Sequence, residues 1–468
     1  MNLKETKLEG VYIIEPEVFG DNRGWFMETY SKDKFKELGI NVDFIQDNHS
    51  FSSEKGILRG LHFQINPKAQ SKLLRCTRGT ILDVAVDLRK GSSTYKEWVA
   101  VELSETNKKQ LFVPKGFAHG FLALTDDVDV QYKVDEYYDQ KCDRSIRFDD
   151  PDIGVDWGIE NPILSEKDIK APLLKDSDVN FSIKVLVTGV NGQLGHDVIN
   201  NLNDLGIENL GIDIDDLDLT DKKKVQEYIT NYNPDVIVHC AAYTAVDRSE
   251  DEKELCYQVN VEGTRNIVEV SKAIDSKLVY ISTDYVFSGE GEEPRHEDEI
   301  TNPINYYGYT KEQGEKIITD SLDKYFIIRT SWVYGSNGNN FVNTMLKLAE
   351  TKDEINVVSD QIGAPTYTKD LAQLIVDLIK TNHYGVFHGV NEGYCSWYEF
   401  AKVIFSKTGI DMKVNPVSTA EYITKAKRPL NSRMSKANLD KIGLNRLPDW
   451  EDALDRYLEE IKLGGSGK

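Results

Sequence analysis

The sequence has few cysteines, no long apolar run and little positive charge, and each absence excludes a class of protein. Its five cysteines in 468 residues are odd in number and form no Cys-x-x-Cys pair, which argues against a disulfide framework and against a zinc knuckle. No stretch approaches the ~18 apolar residues that a membrane-spanning helix requires, and the first residues lack the apolar core of a signal peptide. We therefore expect a soluble, cytoplasmic protein with reduced thiols.

Acidic residues outnumber basic ones by 78 to 56, which gives a formal net charge of -22. Proteins that bind nucleic acid neutralise phosphates with clustered lysine and arginine, so this composition excludes nonspecific binding to a polyanion. An anionic ligand must instead be held by a few cations inside a pocket. The length exceeds what one hydrophobic core usually organises, which predicts two domains.

Residues 1–180 have the pattern of an all-β domain. Short apolar or alternating runs separated by turn residues predict strands at 11–14, 57–65, 73–76, 80–88, 97–103, 110–113, 120–124 and 128–134. There is little helical periodicity beyond residues 32–38. This pattern favours a β-sandwich or barrel.

The second predicted strand carries candidate catalytic groups. Strict alternation would place His62 on one face and Arg59 on the other. Gly60 permits a different outcome, since a glycine inside a strand often marks a bulge that re-aims its neighbours. Lys72 and Asp83 follow on the next two strands, and Asp83 lies opposite an apolar face. Such groups inside a sandwich must be paired or in contact with a ligand.

Five motifs in order along the first 175 residues resemble the dTDP-4-dehydrorhamnose 3,5-epimerases; they span residues 21–28, 46–50, 59–64, 114–120 and 164–168. The resemblance implies a jelly roll of the cupin type, a homodimer formed through this domain, and a dTDP-4-keto-6-deoxyhexose as substrate. It also implies that the substrate is bound by Arg23, Glu28, Gln46, Asn48, Arg59, His119, Tyr138 and Lys167, with the Tyr138 ring stacked on the thymine.

The chemistry of that reaction suits four residues. Protons on the two carbons beside a C4 ketone are acidic because their removal gives an enolate, whose charge develops on the ketone oxygen. By the resemblance, His62 is the base and Asp168 orients it. Lys72 stabilises the enolate oxygen, and Tyr132 donates a proton to the opposite face of the ring.

Metal binding is a second class of function for this half, because cupin barrels often hold metal ions. The segment from Pro114 to His119 matches only the second half of a metal-cupin signature. His62 is followed by Phe63 and Gln64 where the signature has His-x-His, which leaves too few ligands. We therefore predict no catalytic metal.

After a polar stretch, strand and helix patterns alternate, which predicts a doubly wound parallel sheet with helices on both faces. Short β-rich runs occur at 184–187, 209–212, 236–239, 278–281 and 326–329. The first runs into Gly189, Gly192 and Gly195 and then into a helix, which is the pattern of a dinucleotide-binding loop. We predict a Rossmann domain at 184–463 that includes a small C-terminal substrate subdomain, and a flexible tail at 464–468.

Two helices are predicted in that subdomain. Ser396 and Glu399 have capping-box spacing ahead of an apolar run, and this helix would end at Gly409. An apolar stripe with helical spacing follows Asp449.

The second strand of the alternating pattern ends at Asp213, about where an acidic residue accepts hydrogen bonds from the adenosine ribose. A carboxylate at this position would repel the 2′-phosphate of NADPH, and Ile214 stands where an arginine would attract it. The cofactor is therefore expected to be NADH or NADPH, with NADH favoured.

Tyr307 and Lys311 are four residues apart and so lie on one face of a helix. The ammonium is expected to lower the pKa of the phenol, which would let Tyr307 protonate the alkoxide formed when hydride reaches a carbonyl. Thr283, at the end of the fourth strand, supplies a hydroxyl partner.

These features resemble the extended short-chain dehydrogenase/reductases. Further motifs narrow the resemblance to the dTDP-4-dehydrorhamnose reductases; they span 240–247, 282–287, 329–335, 360–366 and 428–432. The resemblance implies that Thr283, Tyr307 and Lys311 are catalytic and that Asp284 and Trp332 contact the sugar. The residues implied to bind the cofactor are Gly189, Gly192, Gln193, Leu194, Gly195, Asp213, Asp218, Leu219, Ala242, Tyr243, Thr244, Tyr307 and Lys311. Some members bind magnesium between subunits, but the ligand set is incomplete in this sequence and we predict no metal.

The sequence thus predicts one chain that epimerises dTDP-4-dehydro-6-deoxy-D-glucose at C3 and C5 and then reduces the C4 ketone to give dTDP-L-rhamnose. One alternative is an epimerase and reductase that make a different dTDP- or UDP-linked 6-deoxy-L-sugar, such as 6-deoxy-L-talose. Another is a regulatory or scaffolding protein built on an inactive sandwich.

Overall fold

The computed structural model describes residues 1–465, and the chain divides into two compact units, Met1–Ser182 and a second unit that begins at Ile183. Residues 466–468, which fall within the predicted flexible tail, lie outside the described residues. Within residues 1–465, no helix is both long enough and apolar enough to cross a lipid bilayer.

Antiparallel strands make up most of the first unit. Its elements are β1 (Asn2–Glu5), β2 (Tyr12–Glu15), β3 (Val18–Asp21), β4 (Gly24–Met27), α1 (Lys32–Glu37), β5 (Gln46–Ser52), β6 (Leu58–Gln64), β7 (Lys72–Arg78), β8 (Thr80–Asp87), β9 (Trp98–Ser104), β10 (Gln110–Val113), β11 (Phe117–Ala123), β12 (Val128–Val134), β13 (Asp143–Ser145) and α2 (Glu166–Ile169). One sheet has the order β1-β2-β10-β7-β12-β5 and the other β13-β6-β11-β8-β9, while β3 and β4 form a separate hairpin. The prediction that β-strands dominate this part of the chain is confirmed.

The predicted strands correspond to β2 and β6–β12. The sequence pattern does not predict β5, because its residues are mostly polar and lack an apolar alternation. In the structure, the side chains of β5 alternate between half-buried and exposed positions, and the strand pairs with β12 along its whole length. A polar strand of this kind is held by its backbone ladder rather than by apolar packing.

Apolar side chains cover both faces of the β6–β11–β8 sheet. Residues from both sheets form one cluster between them, which includes Leu74, Ile81, Leu103, Leu111 and Val130. A second cluster lies on the other face, under the segment that follows β12, and includes Leu58, Leu61, Val84, Val86, Trp157 and Phe181. A polar side chain in this sheet must therefore be satisfied by a partner or by a ligand.

The second unit is an α/β structure. Its elements are β14 (Lys184–Thr188), α3 (Gln193–Asp204), β15 (Glu208–Ile212), α4 (Lys222–Tyr232), β16 (Val236–His239), α5 (Val246–Ser249), α6 (Lys253–Tyr257), α7 (Thr264–Ile274), β17 (Lys277–Thr283), α8 (Tyr306–Ser321), β18 (Tyr325–Thr330), β19 (Val333–Tyr334), α9 (Phe341–Ala349), β20 (Glu354–Val358), β21 (Ile362–Gly363), β22 (Thr366–Tyr367), α10 (Thr368–Ile379), β23 (Gly385–His388), β24 (Cys395–Ser396), α11 (Trp397–Thr408), β25 (Lys413–Val417), β26 (Asn431–Ser432), α12 (Ala437–Lys441) and α13 (Trp450–Gly465).

Its main sheet has the order β15-β14-β16-β17-β18-β23, and neighbouring strands run parallel. The chain leaves β14 for β15 on one side and returns to β16 on the other, so the strand order reverses beside β14. Ligands of open α/β sheets bind at such a point, outside the carboxyl ends of the strands. The predicted parallel sheet is confirmed, and its switch point coincides with the glycine loop that follows β14.

The predicted helices of the C-terminal region are present. Ser396 and Glu399 form a reciprocal capping box at the start of α11, and Gly409 ends this helix in the left-handed conformation. Aromatic and aliphatic residues of α9, α11 and α13 pack into one cluster, which includes Val342, Phe400, Ile404, Leu454 and Tyr457.

Candidate active sites

His62 and Asp168 form a hydrogen-bonded pair in the first unit. Nε2 of His62 lies 2.5 Å from Oδ1 of Asp168. The carboxylate is fixed by Ser165, the N-cap of α2, whose Oγ donates to Oδ2 at 2.7 Å. Burial acts to raise the pKa of Asp168, but the hydrogen bonds from His62 and Ser165 outweigh it and hold the pKa below its ordinary value. Asp168 therefore stays charged, and in the imidazole tautomer whose Nε2–H donates to this carboxylate, the lone pair lies on Nδ1.

Gly60 sets the direction of the side chains on β6. The register between β6 and β11 shifts at this point, and a Cβ on Gly60, whose φ is +132°, would lie 2.5 Å from the backbone of β11. Leu58 and Leu61 consequently enter the same apolar cluster, which strict alternation would not allow. Arg59 and His62 share the opposite, polar face. The interpretation of Gly60 as a bulge is confirmed.

His119 forms a second histidine–carboxylate pair, because its Nε2 lies 2.6 Å from Oδ1 of Asp83. It stands directly across from His62 on the neighbouring strand. The side chain of His119 is only 8% exposed, whereas that of His62 is 31% exposed. Burial lowers the pKa of His119 although Asp83 acts in the other direction. Of the two imidazoles, His62 is the one open to a ligand.

Lys72 on β7 and Tyr132 on β12 come from the other sheet. Nζ of Lys72 donates to the backbone carbonyl of His62 at 3.3 Å. Burial lowers the pKa of Lys72 to about 8, against the charge of Asp83, so its ammonium form still dominates at neutral pH. Burial raises the pKa of Tyr132, while the nearby charge of Arg59 lowers it, and the phenol keeps its proton. The imidazole of His62 and the phenol of Tyr132 thus belong to different sheets.

Four other residues predicted to bind substrate lie on neighbouring segments. Asn48 on β5 lies directly across from Tyr132 on β12. Nε2 of Gln46 donates to Oδ1 of Asn48 at 2.9 Å. Nζ of Lys167 donates to Asp143 at 2.6 Å, and the hydroxyl of Tyr138 donates to the same carboxylate at 3.4 Å. Tyr138 is 58% exposed, as a ring available for stacking must be. Their roles in binding stay predictions.

Arg23 and Glu28 form ion pairs that do not involve His62 or its neighbours. The guanidinium of Arg23 lies 2.6 Å from Asp21 on the β3–β4 hairpin, and its side chain is 86% exposed. Glu28 lies 2.9 Å from Lys34 of α1. In the described structure, the ion pairs of these two residues are therefore with their own hairpin and helix rather than with the His62 cluster.

A cavity of about 920 Å³ opens at the switch point of the second unit, a size at the upper end of the range for ligand pockets. All the residues predicted to bind the cofactor line it: Gly189, Gly192, Gln193, Leu194, Gly195, Asp213, Asp218, Leu219, Ala242, Tyr243, Thr244, Tyr307 and Lys311. Thr283, Asp284 and Trp332 line it as well. The structure thus brings the predicted residues of this half to one place.

The glycine loop approaches the loop after β16 closely. Gly189 has a φ of +73°, and a Cβ there would lie 2.7 Å from the backbone nitrogen of Ala241. The loop that follows β19 fastens the glycine loop, because Gln193 accepts from the backbone of Gly335 at 2.9 Å and Asn337 donates to the backbone of Asn191 at 2.9 Å. The sequence analysis missed Asn337, which lies about 145 residues beyond the glycine loop and belongs to no periodic pattern.

Asp213 is engaged with the backbone as well as facing the cavity. Its Oδ2 accepts from the N–H of Asn191 at 2.9 Å, and its Oδ1 accepts from the N–H of Ile214 at 2.8 Å. Each oxygen keeps a lone pair that a ribose hydroxyl could use. Among the described residues that line the cavity, Lys311 is the single lysine, arginine or histidine, and it lies one helical turn from Tyr307. Around Asp213, the cavity lining therefore has a carboxyl group without a compensating cation.

The expected effect of Lys311 on the pKa of Tyr307 is not found. Burial and the charge of Asp284 raise the pKa of Tyr307 above its ordinary value, although a hydrogen bond with Thr283 acts in the other direction. Burial lowers the pKa of Lys311 to about 7, so the amine is only partly charged at neutral pH. The prediction of a lowered phenol pKa is wrong for this structure because desolvation, which a sequence does not display, dominates both groups.

A buried ion pair lies behind Lys311. Two oxygens of Glu315 accept from the guanidinium of Arg329 at 3.0 and 2.7 Å, and Ser282 donates to Glu315 at 2.5 Å. The charge of Glu315 raises the pKa of Lys311 against the effect of burial, and Nζ of Lys311 lies 3.9 Å from the ring centroid of Tyr280. The spacing of four residues between Lys311 and Glu315 is the signal by which the sequence could have indicated this glutamate.

Trp332 adopts a strained backbone conformation at the edge of the cavity, with a φ of +48°. Its indole stacks on that of Trp397 with 3.7 Å between ring centroids, and a Cβ on Gly363 would lie 2.8 Å from the Trp332 ring. Left-handed backbone at a bulky residue persists only where the surroundings enforce it. Trp397, which also lines the cavity, was missed by the sequence analysis and holds the ring of Trp332 in place.

Comparison with known proteins identifies each half separately. Residues 5–176 match the family model for dTDP-4-dehydrorhamnose 3,5-epimerase, and residues 183–463 match that for the RmlD substrate binding domain. The first half is 49% identical over 179 residues to the dTDP-4-dehydrorhamnose 3,5-epimerase of Shigella flexneri, covering 38% of this chain and 98% of that protein. The second is 39% identical over 285 residues to the dTDP-4-dehydrorhamnose reductase of Aggregatibacter actinomycetemcomitans, covering 58% and 97%. The second half is also similar to a crystal structure of the dTDP-4-dehydrorhamnose reductase of Bacillus anthracis in complex with NADP. The two superpose with a TM-score of 0.58 at 45% identity, covering 59% of this chain and 99% of the other.

Proposed function

The chain belongs to the dTDP-4-dehydrorhamnose 3,5-epimerase family through its first half and to the RmlD substrate binding domain family through its second, and we propose that it catalyses two consecutive steps of dTDP-L-rhamnose formation. We assign 3,5-epimerisation of dTDP-4-dehydro-6-deoxy-D-glucose to a cupin-type jelly roll at residues 1–180. We assign NAD(P)H-dependent reduction of the C4 ketone to residues 184–463. Gly464 and Gly465, which the sequence placed in a flexible tail, belong to the last turn of α13.

The observation that carries the epimerase assignment is the placement of His62 and Tyr132 on different sheets. Inversion at a carbon needs a base on one face of the sugar ring and a proton donor on the other. Nδ1 of His62 takes the proton from the carbon beside the ketone, and Asp168 stabilises the imidazolium that results. The ammonium of Lys72 stabilises the enolate oxygen, and the neutral phenol of Tyr132 supplies a proton to the opposite face.

The reductase assignment rests on the cavity at the switch point. When bound, the reduced nicotinamide would supply hydride to the C4 carbon of the ketone. The phenol of Tyr307 is proposed to protonate the resulting alkoxide, with Thr283 orienting the phenol and Lys311 close to it on the next turn of α8. The close backbone approach at Gly189 and the helix N-terminus after Gly192 fit the pyrophosphate of a dinucleotide.

A preference for NADH follows from the charge of the adenosine end. Asp213 stands there without a cation among the described residues that line the cavity, so a 2′-phosphate is repelled. We expect kcat/KM to be higher with NADH than with NADPH by about tenfold, which corresponds to ~1.4 kcal/mol of charge repulsion. Steady-state kinetics with both cofactors measure this ratio directly.

Ile214→Arg should lower or reverse that ratio, because the guanidinium would pair with a 2′-phosphate. Asp215→Asn is the matched control: it removes a charge from the same loop at an exposed position, and it should leave the ratio nearly unchanged. A wild-type enzyme that used NADPH better by a wide margin would contradict the assignment of Asp213.

We further propose that the chain forms a homodimer through its first unit and acts in the cytoplasm. The β3–β4 hairpin exposes large apolar side chains, namely Val18 (41%), Phe19 (56%), Trp25 (58%) and Phe26 (70%), and an exposed patch of this kind marks an interface. Free cysteines at all five positions suit a reducing compartment. Sedimentation equilibrium should give twice the 53.1 kDa chain mass, and Phe26→Glu should halve it; a wild-type monomer at micromolar concentration would exclude the dimer.

The product tests the whole assignment. Supplied with dTDP-4-dehydro-6-deoxy-D-glucose and NADH, the chain should oxidise the cofactor and release a sugar whose NMR couplings are those of L-rhamnose. Relatives of both halves are named for dTDP-4-dehydrorhamnose, which supports rhamnose over 6-deoxy-L-talose. An inactive sandwich is disfavoured because His62, Lys72, Tyr132 and Asp168 are all present.

A further inference from the structure

A carboxyl group lies behind the catalytic hydroxyls of the second unit and takes no part in the two proposed steps. Asp284 is 3% exposed, and it accepts hydrogen bonds from Oγ1 of Thr283 at 2.9 Å and from Oγ of Ser432. Thr283 and Tyr307 line the same cavity, and Thr283 is close enough to the phenol to lower its pKa. The two hydroxyls and the carboxyl therefore lie in sequence from Tyr307 through Thr283 to Asp284.

This carboxyl also lacks a cation. Among residues 1–465, no lysine, arginine or histidine is recorded in a salt bridge with Asp284, and its recorded side-chain partners are the two hydroxyls. A carboxyl buried without a cation is unfavourable as an anion and readily binds a proton.

We propose that Asp284 returns a proton to Tyr307 through the hydroxyl of Thr283 after Tyr307 has protonated the product, an inference that rests on the proposed reductase function. In its protonated form, Asp284 donates its O–H to Oγ1 of Thr283, which reverses the hydrogen bond that the carboxylate accepts. This O–H bond breaks as Oγ1 of Thr283 gains the proton. The original hydroxyl proton of Thr283 passes to the phenolate oxygen of Tyr307. One proton moves along the chain, no electrons are transferred, and Asp284 is left as a carboxylate. Water reprotonates it when the product leaves, because Asp284 lines the cavity.

The acidities of the two ends give the transfer its direction. Burial raises the pKa of Asp284 to about 6, so part of the population carries the proton near neutral pH. Burial also raises the pKa of Tyr307, which makes its phenolate a stronger base than an ordinary one. A proton on Asp284 therefore moves towards the phenolate, and the reverse transfer is unfavourable.

Few of the groups around the Asp284 carboxyl change their protonation state near neutral pH. Burial raises the pKa of Tyr285, on the same segment, and of Tyr307, on α8. Lys311, one turn further along α8, has its pKa lowered by burial to about 7. Beyond Tyr285, Arg428 and Asp247 form an ion pair, which stays charged near neutral pH. Lys311 is thus the one competing group among these neighbours, and a variant must separate its titration from that of the carboxyl.

Asp284→Asn tests the inference because the amide keeps the size of the side chain but delivers no proton. In the wild type, kcat for reduction should fall to a lower plateau as pH rises through about 6. The variant should lie at that plateau at every pH, ~10-fold below the wild type at low pH. The KM for the ketone and the Kd for NADH should change by less than about twofold.

Ser432→Ala provides a second variant with a different expectation. Its hydroxyl lowers the pKa of Asp284 by hydrogen bonding to the charged form. Removing the hydroxyl should keep the inflection in kcat and move it to higher pH. Infrared difference spectra give a readout independent of activity: the carbonyl band of a neutral carboxylic acid should titrate with the kcat profile in the wild type and be absent from Asp284→Asn.

Each outcome decides the inference. A raised KM for the ketone with unchanged kcat in Asp284→Asn would make Asp284 a sugar-binding residue and overturn the relay. An inflection in kcat that persists in Asp284→Asn would belong to Lys311 and would also overturn the relay. An inflection that stays at the wild-type pH in Ser432→Ala would overturn it as well. Failure of the wild type to reduce the ketone would instead refute the proposed function, which separates the two failures.

Discussion

We expect His62→Ala to abolish rhamnose formation, with a loss of ~10³-fold or more in C3 and C5 proton exchange, because it removes the more exposed imidazole of the two histidine–carboxylate pairs. His119 does not replace it, since burial lowers its pKa and its Nε2 is committed to Asp83. The measurement is the rate of solvent deuterium incorporation into the ketone, followed by mass spectrometry without NADH.

His49→Ala is the matched control for this variant. His49 belongs to the same unit and pairs with Asp129 at 3.0 Å, but its side chain is 54% exposed and lies on the exposed face of β5. Exchange should continue at close to the wild-type rate in this control. Exchange that survived in His62→Ala would show that another group is the base, and the assignment of the dyad would fail.

We expect Tyr307→Phe to stop the reduction while exchange continues. The phenol is proposed as the acid that protonates the developing alkoxide, so its loss should lower kcat for NADH oxidation by ~10²–10⁴-fold. Deuterium should still enter the ketone at C3 and C5, because that chemistry is assigned to His62 and its neighbours in the first unit. The two assays on one protein sample separate the two activities.

Tyr309→Phe is the control for the second variant, because Tyr309 lies two residues further along α8 and is 40% exposed. It should retain both activities. Deuterium exchange that disappeared in Tyr307→Phe along with reduction would contradict the division of labour between the two halves of the chain.

Strand positions and glycine-loop chemistry were predictable from the sequence because they depend on local patterns. The alternation of apolar residues indicated β6–β12, and Gly60 indicated the bulge that puts Arg59 and His62 on one face. The residues that line the dinucleotide cavity follow from the glycine spacing and from the ends of parallel strands, which meet at one edge of a sheet by construction.

Other features depend on burial and on contacts that the sequence does not display. The raised pKa of Tyr307 reflects desolvation by the assembled fold, and the spacing to Lys311 gave the wrong sign. Ser432 hydrogen-bonds Asp284 although the two residues are 148 positions apart in the sequence. Trp397, which begins a separate helix, stacks on Trp332. Strand β5 was not indicated because its pairing satisfies the backbone while its side chains are mostly polar.

The position of deuterium in the final sugar tests the central claim most directly. The whole chain is incubated in heavy water with dTDP-4-dehydro-6-deoxy-D-glucose and unlabelled NADH, and the product is analysed by NMR. The account predicts deuterium from solvent at both C3 and C5 and protium from the cofactor at C4. A reduced product with protium at both C3 and C5 would mean that no proton was abstracted beside the ketone before reduction, and the account would be wrong.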